Sequence, residues 1–376
     1  MIHLTYGGST AKRSKNCPGW VAASEGIPRR PAGHAARMGS LHHEVQEICR
    51  KTGTVPADHI GLVYTEDGET LVFTEDELEL SETAYAAVDE MLDLYEMDDL
   101  VVEPFVQLVP GKVGGSVDLL GVNTAKNTVL INDYKFGSHR VDATGNDQHF
   151  LYAAAAIADP QTSKYFDNDT KIVFAITQPK ARREAYMWET DVGAVMAYKA
   201  QFLAAIETDI VRSGEHCKFC PAEAFCQVRK QTIFADNLLG KDLRENLQQA
   251  ADMVEAAEAW VKAVHEEVFM QMSRGVPIAG WKLVERDKHL AWVDKDAAAD
   301  YMIGKRLPKR DIFKTTIITP TQAKKLIKQR GNKVDLTNHV VKPKGESTSA
   351  PHSDPRPGIE LGENPDNLTA LVSKSS

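Results

Sequence analysis

The chain has 376 residues, of which 43% are hydrophobic, and it carries a formal net charge of −9 at pH 7. These values are ordinary for a globular protein with two to three domains, or with one elaborated α/β domain, and they leave enough apolar side chains for a sizeable core. The N-terminus has no apolar signal region and no apolar run approaches the roughly 20 residues of a membrane-spanning helix, so we expect neither a secretion signal nor a membrane partner.

The five cysteines are odd in number and unevenly spaced, which argues against a disulfide framework and favours a reducing, cytoplasmic location. The charge is also unevenly distributed. Residues 65–103 contain no Lys or Arg, whereas residues 305–344 contain twelve Lys or Arg and two Asp. We interpret the acidic run as a solvated surface. The basic run predicts either a solvated surface or contact with a phosphate backbone.

Hydrophobic periodicity predicts irregular structure up to residue 33, followed by helices over 34–50 and 75–98. Three β-type runs come next, VVEPFVQLV, GGSVDLLGV and NTVLINDYKF, separated by turn signals at 110–111 and 123–127. The remaining elements are predicted as a helix over 144–158, strands over 171–177 and 183–190, and helices over 191–212, 241–273 and 320–330. Beyond residue 344 the sequence is polar and rich in Pro and Gly, which predicts a disordered tail.

The second and third β-type runs predict a hairpin whose turn is centred between Ala125 and Lys126. In an antiparallel register around that turn, Asp118 lies opposite Asp133, with Cβ atoms about 4.5–5.5 Å apart. The two-residue period of a strand places Lys135 on the same face as Asp133. Carboxylates this close repel each other unless a cation neutralises them, and oxygen ligands suit Mg²⁺ or Mn²⁺. The pattern predicts a site for metal-assisted phosphodiester hydrolysis, with a solvent-facing Asp/Lys pair as the alternative.

A second cluster consists of Cys217, Cys220 and Cys226, in a C-x₂-C-x₅-C arrangement. Thiolates at this density favour a soft metal centre, and three sulfurs need a fourth ligand. Cys17 is the natural choice, because it lies in a rigid Cys-Pro-Gly turn. Zinc, with Cys17 or His216 as the fourth ligand, is an alternative that the spacing leaves open.

At these positions the chain resembles the RecB-like PD-(D/E)XK nucleases. The sequence GSLHH at 39–43 matches their G-x-x-x-H motif, GGSVDLLG carries their G-x-x-D strand motif, DYK at 133–135 is their D-x-K core, and QHFLY at 148–152 fits their Q-x-x-x-Y motif. The whole chain resembles a phage-encoded branch of these nucleases long labelled as a domain of unknown function. The sequences NCPG at 16–19 and GWKLVE at 280–285 look like marks of that branch.

The resemblance implies a role for each matched residue. His43, through its imidazole, and the carboxylates of Asp118 and Asp133 would be metal ligands. The backbone carbonyl of Tyr134 would complete the protein side of the metal shell. Lys135 would be the catalytic lysine, which positions or deprotonates a water or stabilises charge on a phosphate.

Four further residues are predicted around this set. The resemblance implies that Gln148 and Tyr152, which share one face of a helix, contact DNA or brace the site. His42 is the alternative to its neighbour as the metal ligand, because only the motif spacing separates the two. Glu103, on the strand before the hairpin, is a possible additional carboxylate.

The cysteines also resemble a known arrangement. One N-terminal cysteine with a C-terminal trio is similar to the AddB nuclease and to CRISPR-associated RecB-like nucleases, which implies a [4Fe–4S] cluster on Cys17, Cys217, Cys220 and Cys226. Such a cluster would cross-link the chain rather than transfer electrons. Cys49 lies outside the pattern and is predicted to be a free core cysteine.

The implied fold is α/β, with a PD-(D/E)XK restriction-endonuclease-like core in which helices flank a mixed central sheet, plus helical and C-terminal additions. The predicted division is a nuclease domain over 1–230, a long helix over 231–275, a basic region over 276–344 and a disordered tail over 345–376. The expected function is Mg²⁺- or Mn²⁺-dependent exonuclease action on DNA ends in phage recombination or replication, in the host cytoplasm, with a single-strand annealing protein as a partner. The alternatives are a non-catalytic DNA-binding module and a zinc-containing interaction module on a nuclease fold.

Overall fold

A computed structural model describes residues 4–28, 32–66, 68–234, 247–285, 291–313, 320–330, 334–341, 347–351 and 358–359 of the chain. The chain divides into two units, unit 1 (Met1–Glu267) and unit 2 (Val268–Ser376). None of the helices within the described ranges combines the length and the apolar character that crossing a bilayer requires.

The helices are α1 (Ala11–Asn16), α2 (Trp20–Ala23), α3 (His34–Thr52), α4 (Glu75–Leu94), α5 (Asp147–Ala158), α6 (Val192–Ile206), α7 (Gln227–Phe234), α8 (Leu247–Ser273), α9 (Lys295–Gly304), α10 (Lys309–Ile312) and α11 (Pro320–Arg330). The strands are β1 (Val63–Glu66), β2 (Glu69–Val72), β3 (Asp99–Val102), β4 (Phe105–Val109), β5 (Val113–Ser116), β6 (Leu119–Asn123), β7 (Thr128–Tyr134), β8 (Lys171–Thr177), β9 (Tyr186–Asp191), β10 (Trp281–Glu285), β11 (Ala291–Trp292), β12 (Val340–Val341) and β13 (Ser347–Pro351).

The centre of unit 1 is a five-stranded mixed sheet in the order β3-β6-β7-β8-β9. The β7–β8 pair is parallel, and α5 lies in the connection between these two strands. The other neighbours are antiparallel. The expected α/β class, with a mixed central sheet and flanking helices, is therefore confirmed at this level.

Alternating side chains of the central strands are buried on opposite faces of the sheet. On one face, Ile131 of β7 and Phe174 of β8 belong to a core that includes side chains of α5 and α6. On the other face, Leu130 and Val173 join a core that includes side chains of α4. Because successive side chains of a strand point to opposite faces, a sheet covered on both sides reads as a continuous apolar run, as KIVFAIT does.

Two of the predicted strands are broken in the middle. The run VVEPFVQLV forms β3 and β4 rather than one strand, and GGSVDLLGV forms β5 and β6. Strands β3 and β6 pair within the central sheet, whereas β4 and β5 pair as a separate two-stranded sheet. The two breaks, at 103–104 and 117–118, lie opposite each other. The hairpin formed by β3–β4 and β5–β6 therefore bends at this one place.

The other predicted elements of unit 1 are found close to their expected bounds, except that the helix predicted over 191–212 already ends at Ile206. The first 33 residues were an exception, because α1 and α2 form where irregular structure was expected. The predicted helix over 75–98 ends at Leu94, since β3 begins at Asp99. Residues 241–246 of the long predicted helix lie outside the described residues.

Unit 2 has a core of its own, to which α9, α10 and α11 contribute apolar side chains. Helix α11 has the bounds that the sequence predicts. Strand β13 pairs with β10 within the segment predicted as a disordered tail, so that part of the expectation was wrong. Apart from β13 and residues 358–359, the rest of 345–376 lies outside the described residues.

Candidate active site and cysteine pocket

The β6–β7 hairpin brings the two predicted aspartates to the same end of the sheet. Its ladder pairs Leu119 with Asn132 and Leu120 with Ile131, which is the register predicted from the turn. Asp118 immediately precedes β6 and Asp133 is the second-last residue of β7. One further step in the same register places these two carboxylates opposite each other.

The hairpin formed by β3–β4 and β5–β6 bends beside these carboxylates. The amide of Glu103 donates to the carbonyl of Asp118 at 3.2 Å, and the amide of Val117 donates to the carbonyl of Pro104 at 3.0 Å. Glu103 itself has a φ of 53°, in the left-handed region that non-glycine residues rarely occupy. Backbone strain of this kind persists only where the surrounding structure holds it in place, and strained residues cluster at functional sites.

Lys135 is held in a polar network with the side chains of Asp133 and Gln148. Its ammonium lies 2.5 Å from Oδ2 of Asp133 and donates to Oε1 of Gln148 at 3.2 Å. Nε2 of Gln148 in turn donates to Oδ1 of Asp133 at 2.5 Å. Burial alone would lower the pKa of Lys135, but the carboxylates of Asp133 and Asp118 outweigh it and raise the pKa above its ordinary value. The lysine is therefore an ammonium ion in this arrangement.

Asp118 has partners on two sides. Its Oδ2 accepts a hydrogen bond from the amide of Tyr134 at 2.7 Å and lies 3.4 Å from Nδ1 of His43. Burial raises the pKa of Asp118, the charge of Asp133 raises it further, and His43 opposes both effects. A neighbouring cation would therefore stabilise the ionised carboxylate.

The structure distinguishes the two adjacent histidines. His42 is buried, stacks on Phe136 with ring centroids 4.6 Å apart, and has its Nδ1 2.8 Å from Oγ of Ser81. Burial lowers the pKa of His42 to about 4, so its ring is neutral. His43 instead contacts Asp118. Of the two histidines, His43 is therefore the one that lies beside a predicted ligand carboxylate.

Helix α5 supplies the remaining predicted residues. The side chain of Asn146 caps it by accepting from the amides of Gln148 at 2.9 Å and His149 at 3.3 Å, which fixes the first turn beside Lys135. Tyr152, one turn further on, is only 9% exposed. Its ring lies so close to Gly8 that a Cβ there would stand 2.4 Å from Cζ. This burial is the geometry of a bracing residue rather than of one that faces a ligand.

Glu103 adds a third carboxyl group to the site. Burial, followed by the charge of Asp118, raises the pKa of Glu103 to about 8. The charge of Asp133 also contributes, which places all three carboxyl groups within electrostatic reach of one another. The sequence offered one sign of this role, a Glu-Pro pair inside an otherwise regular β-type run.

The donor set of this site suits a hard divalent cation. Asp118 and Asp133 share Lys135 as a counter-ion, with Glu103 within electrostatic reach of both aspartates. Carboxylate and carbonyl oxygens are the ligands that Mg²⁺ and Mn²⁺ take. Within the described residues, no group of three or more His, Cys, Asp or Glu side chains is already arranged to hold a metal. The oxygens are instead occupied by the Tyr134 amide, Lys135 and Gln148, which a bound cation would have to replace in part.

The four predicted cluster cysteines line one pocket. Cys17, Cys217, Cys220 and Cys226 all line a small pocket that is partly open to solvent, and their thiols form no disulfide. The turn that carries Cys17 is fixed by backbone contact, because the amide of Gly19 donates to the carbonyl of Ile210 at 3.1 Å. His216 lines the same pocket, so the zinc alternative keeps its fourth ligand. Cys49 instead lies in an apolar core with Leu41, as predicted.

Two arginines in this pocket were not predicted, and no sequence pattern marks them. The Nε atoms of Arg13 and Arg229 are both buried without a hydrogen-bond partner. Arg13 donates to the carbonyl of Phe219 at 2.8 Å, and Arg229 lies 3.6 Å from Glu223. Burial lowers the pKa of Arg13, and the cysteines that it faces oppose that effect. Cations that line a pocket and keep an unused Nε–H donor fit an anionic occupant, such as a metal centre with thiolate ligands.

Comparison with known proteins gives a family and distant similarities to solved structures. A family model described as "Protein of unknown function (DUF2800)" matches residues 3–357. A solved structure titled "Crystal structure of SSO0001" is similar at 13% sequence identity, over 40% of this chain and 78% of that chain, with a TM-score of 0.20. The family match spans both the carboxylate site and the cysteine pocket, whereas the structural similarity is too low to carry an argument.

Proposed function

The chain belongs to the DUF2800 family, and we propose that it is a metal-dependent deoxyribonuclease of the RecB-like PD-(D/E)XK type. It hydrolyses phosphodiester bonds at DNA ends. The observation that supports this proposal is the convergence of Asp118, Asp133 and Lys135 at one end of the β6–β7 hairpin, with His43 and Gln148 in contact with them. An ordinary surface Asp/Lys pair would have neither the burial nor the second carboxylate.

The proposed metal ion would be held by side chains and one backbone carbonyl of this site. Asp118, Asp133, His43 and the Tyr134 carbonyl would hold Mg²⁺ or Mn²⁺, and Glu103 lies close enough to contribute a further carboxylate. When bound, such an ion polarises a phosphate oxygen and lowers the pKa of a coordinated water.

Lys135 supplies a fixed positive charge beside these carboxylates. Because Asp133 and Gln148 hold its ammonium, the lysine is already oriented before DNA arrives, and it can donate a hydrogen bond to a water or to a phosphate oxygen. Gln148 keeps both the lysine and Asp133 in place. Tyr152 braces α5 from within the core.

The cysteine pocket is proposed to hold a [4Fe–4S] cluster on Cys17, Cys217, Cys220 and Cys226. Soft thiolate ligands, the buried Arg229 and the half-buried Arg13 support an anionic metal–sulfur centre, which the two arginines would neutralise. The cluster cross-links the N-terminal turn to the segment after α6. Its role in this proposal is structural.

The biological setting is proposed from the family resemblance described above. A DNA-end nuclease of a phage would act in recombination or replication in the host cytoplasm. A single-strand annealing protein is its proposed partner, since degradation of one strand exposes the other.

Removing the lysine tests the enzymatic proposal. We expect the wild type to degrade end-labelled linear DNA with Mg²⁺ or Mn²⁺ and not with EDTA. Lys135→Ala should lower the rate by about 10²–10⁴-fold, because it removes the positioned cation. Lys126→Ala is the matched control, since Lys126 lies at the other end of the same hairpin, where its partner is Glu96 at 2.7 Å.

The comparison of linear with covalently closed DNA separates exonuclease from endonuclease action. A wild type that binds DNA but leaves it intact would favour the non-catalytic module instead. Full activity of Lys135→Ala would contradict the proposed role of the site.

A further inference from the structure

The helices of unit 2 surround a small apolar core and turn their basic residues outward. Met302 of α9, Ile312 of α10 and Ala323 of α11 are buried in that core, together with Leu307. Each helix therefore has an inner face that is fixed by packing. Its outer face is free to carry a different function.

The outer surface is rich in exposed cations. Among the described residues from Lys305 to Lys328, six basic side chains are exposed: Lys305, Arg306, Lys309, Arg310, Lys324 and Lys328. Lys324 and Lys328 are four residues apart on α11, so they share one face of that helix. We call these six residues the basic surface.

Between Lys305 and Lys328, the described residues include one acid, Asp311, whereas α9 carries the exposed acids Asp296 and Asp300. Among the residues that the structure describes, Arg310 is the one member that approaches a carboxylate, that of Asp311 at 4.0 Å. Lys305 lies over the ring of Tyr301, 5.4 Å from its centroid. Ordinary protein surfaces intersperse both signs of charge, and a chain of net charge −9 has no general excess of cations. A local surplus of this kind is the electrostatic mark of a polyanionic partner.

We propose that the basic surface of unit 2 binds the phosphate backbone of double-stranded DNA without reading its sequence. Lysine and arginine side chains on exposed helical faces contact phosphates as flexible charges, and such contacts supply affinity rather than base specificity. The inference rests on the proposed function in one respect, because DNA is the polyanion on which the nuclease site would act. The basic surface would be a second DNA-binding surface, made of residues other than those of the carboxylate site.

Salt-dependent binding by the full chain tests the proposal. Fluorescence anisotropy with a short labelled duplex, in EDTA so that no hydrolysis occurs, gives the affinity at a series of salt concentrations. We expect Lys324→Glu/Lys328→Glu to weaken binding by about tenfold or more and to reduce the slope of log affinity against log salt by up to about 1.8, or about 0.9 for each phosphate that is no longer neutralised. Lys324→Arg/Lys328→Arg should bind like the wild type.

A matched control keeps the net charge equal. Lys126→Glu/Lys164→Glu changes the same two charges in unit 1, near the ends of the central strands that lie away from the carboxylates. If this control weakens binding as much as Lys324→Glu/Lys328→Glu, the basic surface is not a DNA site and the proposal fails. It also fails if the charge-reversed unit 2 variant binds like the wild type, or if anionic lipid vesicles compete for the surface more strongly than the duplex does.

The nuclease assay is read separately from this binding assay. A chain that is inert toward DNA but loses salt-sensitive binding through Lys324→Glu/Lys328→Glu would contradict the proposed enzyme and support the basic surface. A chain that hydrolyses DNA in a Lys135-dependent way, and whose DNA binding is unchanged by the unit 2 substitutions, would support the proposed enzyme. It would contradict DNA binding by the basic surface.

Discussion

Glu103 combines a left-handed backbone with a carboxyl group that the folded protein prefers to keep neutral. Its pKa is raised from 4.5 to about 8, first by burial and then by the charge of Asp118. Between these two values, the folded protein holds a proton at Glu103 that the unfolded chain has already released. Stability therefore falls as the pH rises through this window.

Replacing this residue with its neutral analogue should remove that penalty. We expect Glu103→Gln, without divalent ions, to be more stable than the wild type at about pH 8, by about 1–3 kcal/mol after allowance for solvent screening. At about pH 5 the two proteins should be similar, because the wild-type carboxyl group is then protonated in the folded state. Urea unfolding at a series of pH values measures this difference.

Metal binding gives the same variant a second readout. If Glu103 contributes to a cation site, Mg²⁺ should stabilise the wild type more than Glu103→Gln, since binding to the folded state adds to its stability. A difference that is constant from pH 5 to pH 9 would contradict the raised pKa. An equal response to Mg²⁺ would remove Glu103 from the ligand set.

At the residue scale, the sequence predicted positions that depend on local geometry. The register between Asp118 and Asp133 follows from the turn and the two-residue period of the strands. The choice between His42 and His43 needed a family motif, because both lie on one helix and only packing decides which ring is buried. Arg13 was not predicted, since its hydrogen bond to the carbonyl of Phe219 joins segments about 200 residues apart.

At the scale of elements, the broken hairpin shows where periodicity fails. The alternation of VVEPFVQLV continues through the break, so a pattern-based prediction sees one strand. Pro104 was the available cue, because a proline has no amide hydrogen to donate within a ladder. The break moves β4 out of the central sheet and leaves Glu103 at the bend, beside Asp118. The sequence therefore predicted Glu103 as a candidate carboxylate, but it did not predict the bend that brings this residue to Asp118.

The contact between Gly8 and α5 gives a prediction at this scale. A Cβ at Gly8 would stand 2.4 Å from Cζ of Tyr152, and a Cβ at Gly115 would stand 3.2 Å from Cε1 of the same ring, so this edge of the ring is closely surrounded. We expect Gly8→Ala to destabilise the protein by about 1–3 kcal/mol through overpacking. Because α5 carries Gln148, DNA hydrolysis should fall as well. Thermal unfolding and the nuclease assay measure the two effects.

Gly39→Ala is the matched control for stability. Gly39 lies within α3, and among the described residues nothing stands within 4 Å of the place that its Cβ would occupy. This substitution should stabilise the helix by up to about 1 kcal/mol, since alanine favours helices over glycine. Equal stability of Gly8→Ala and the wild type would show that Tyr152 is not confined by the N-terminal segment.

At the scale of the molecule, the N-terminal segment connects the cysteine pocket to the carboxylate site. Cys17 follows α1 and faces the pocket, while Lys15 of α1 lies 2.5 Å from Asp147 at the start of α5. The next residue of α5, Gln148, contacts Lys135. The sequence predicted both sites separately, but it gave no sign of this connection, because a Lys–Asp contact between distant helices leaves no local pattern.

The proposed cluster should therefore support both stability and catalysis. In an anaerobic preparation we expect iron and an absorption band near about 400 nm, and Cys217→Ser should lose both. The cross-link between Cys17 and Cys217 closes a loop of about 200 residues, so its loss should lower the free energy of unfolding by at most about 5 kcal/mol. Hydrolysis should fall in parallel, since α1 then no longer holds α5 firmly.

Cys49→Ser separates the cluster from a general effect of losing a buried thiol. Cys49 is fully buried in a different core, so this variant should lose some stability but keep its iron. A colourless wild type that contains zinc would replace the iron–sulfur centre with the zinc alternative. A Cys217→Ser variant with full activity and unchanged unfolding would instead show that the carboxylate site does not depend on the pocket, and that the contact between Lys15 and Asp147 is sufficient to hold α5.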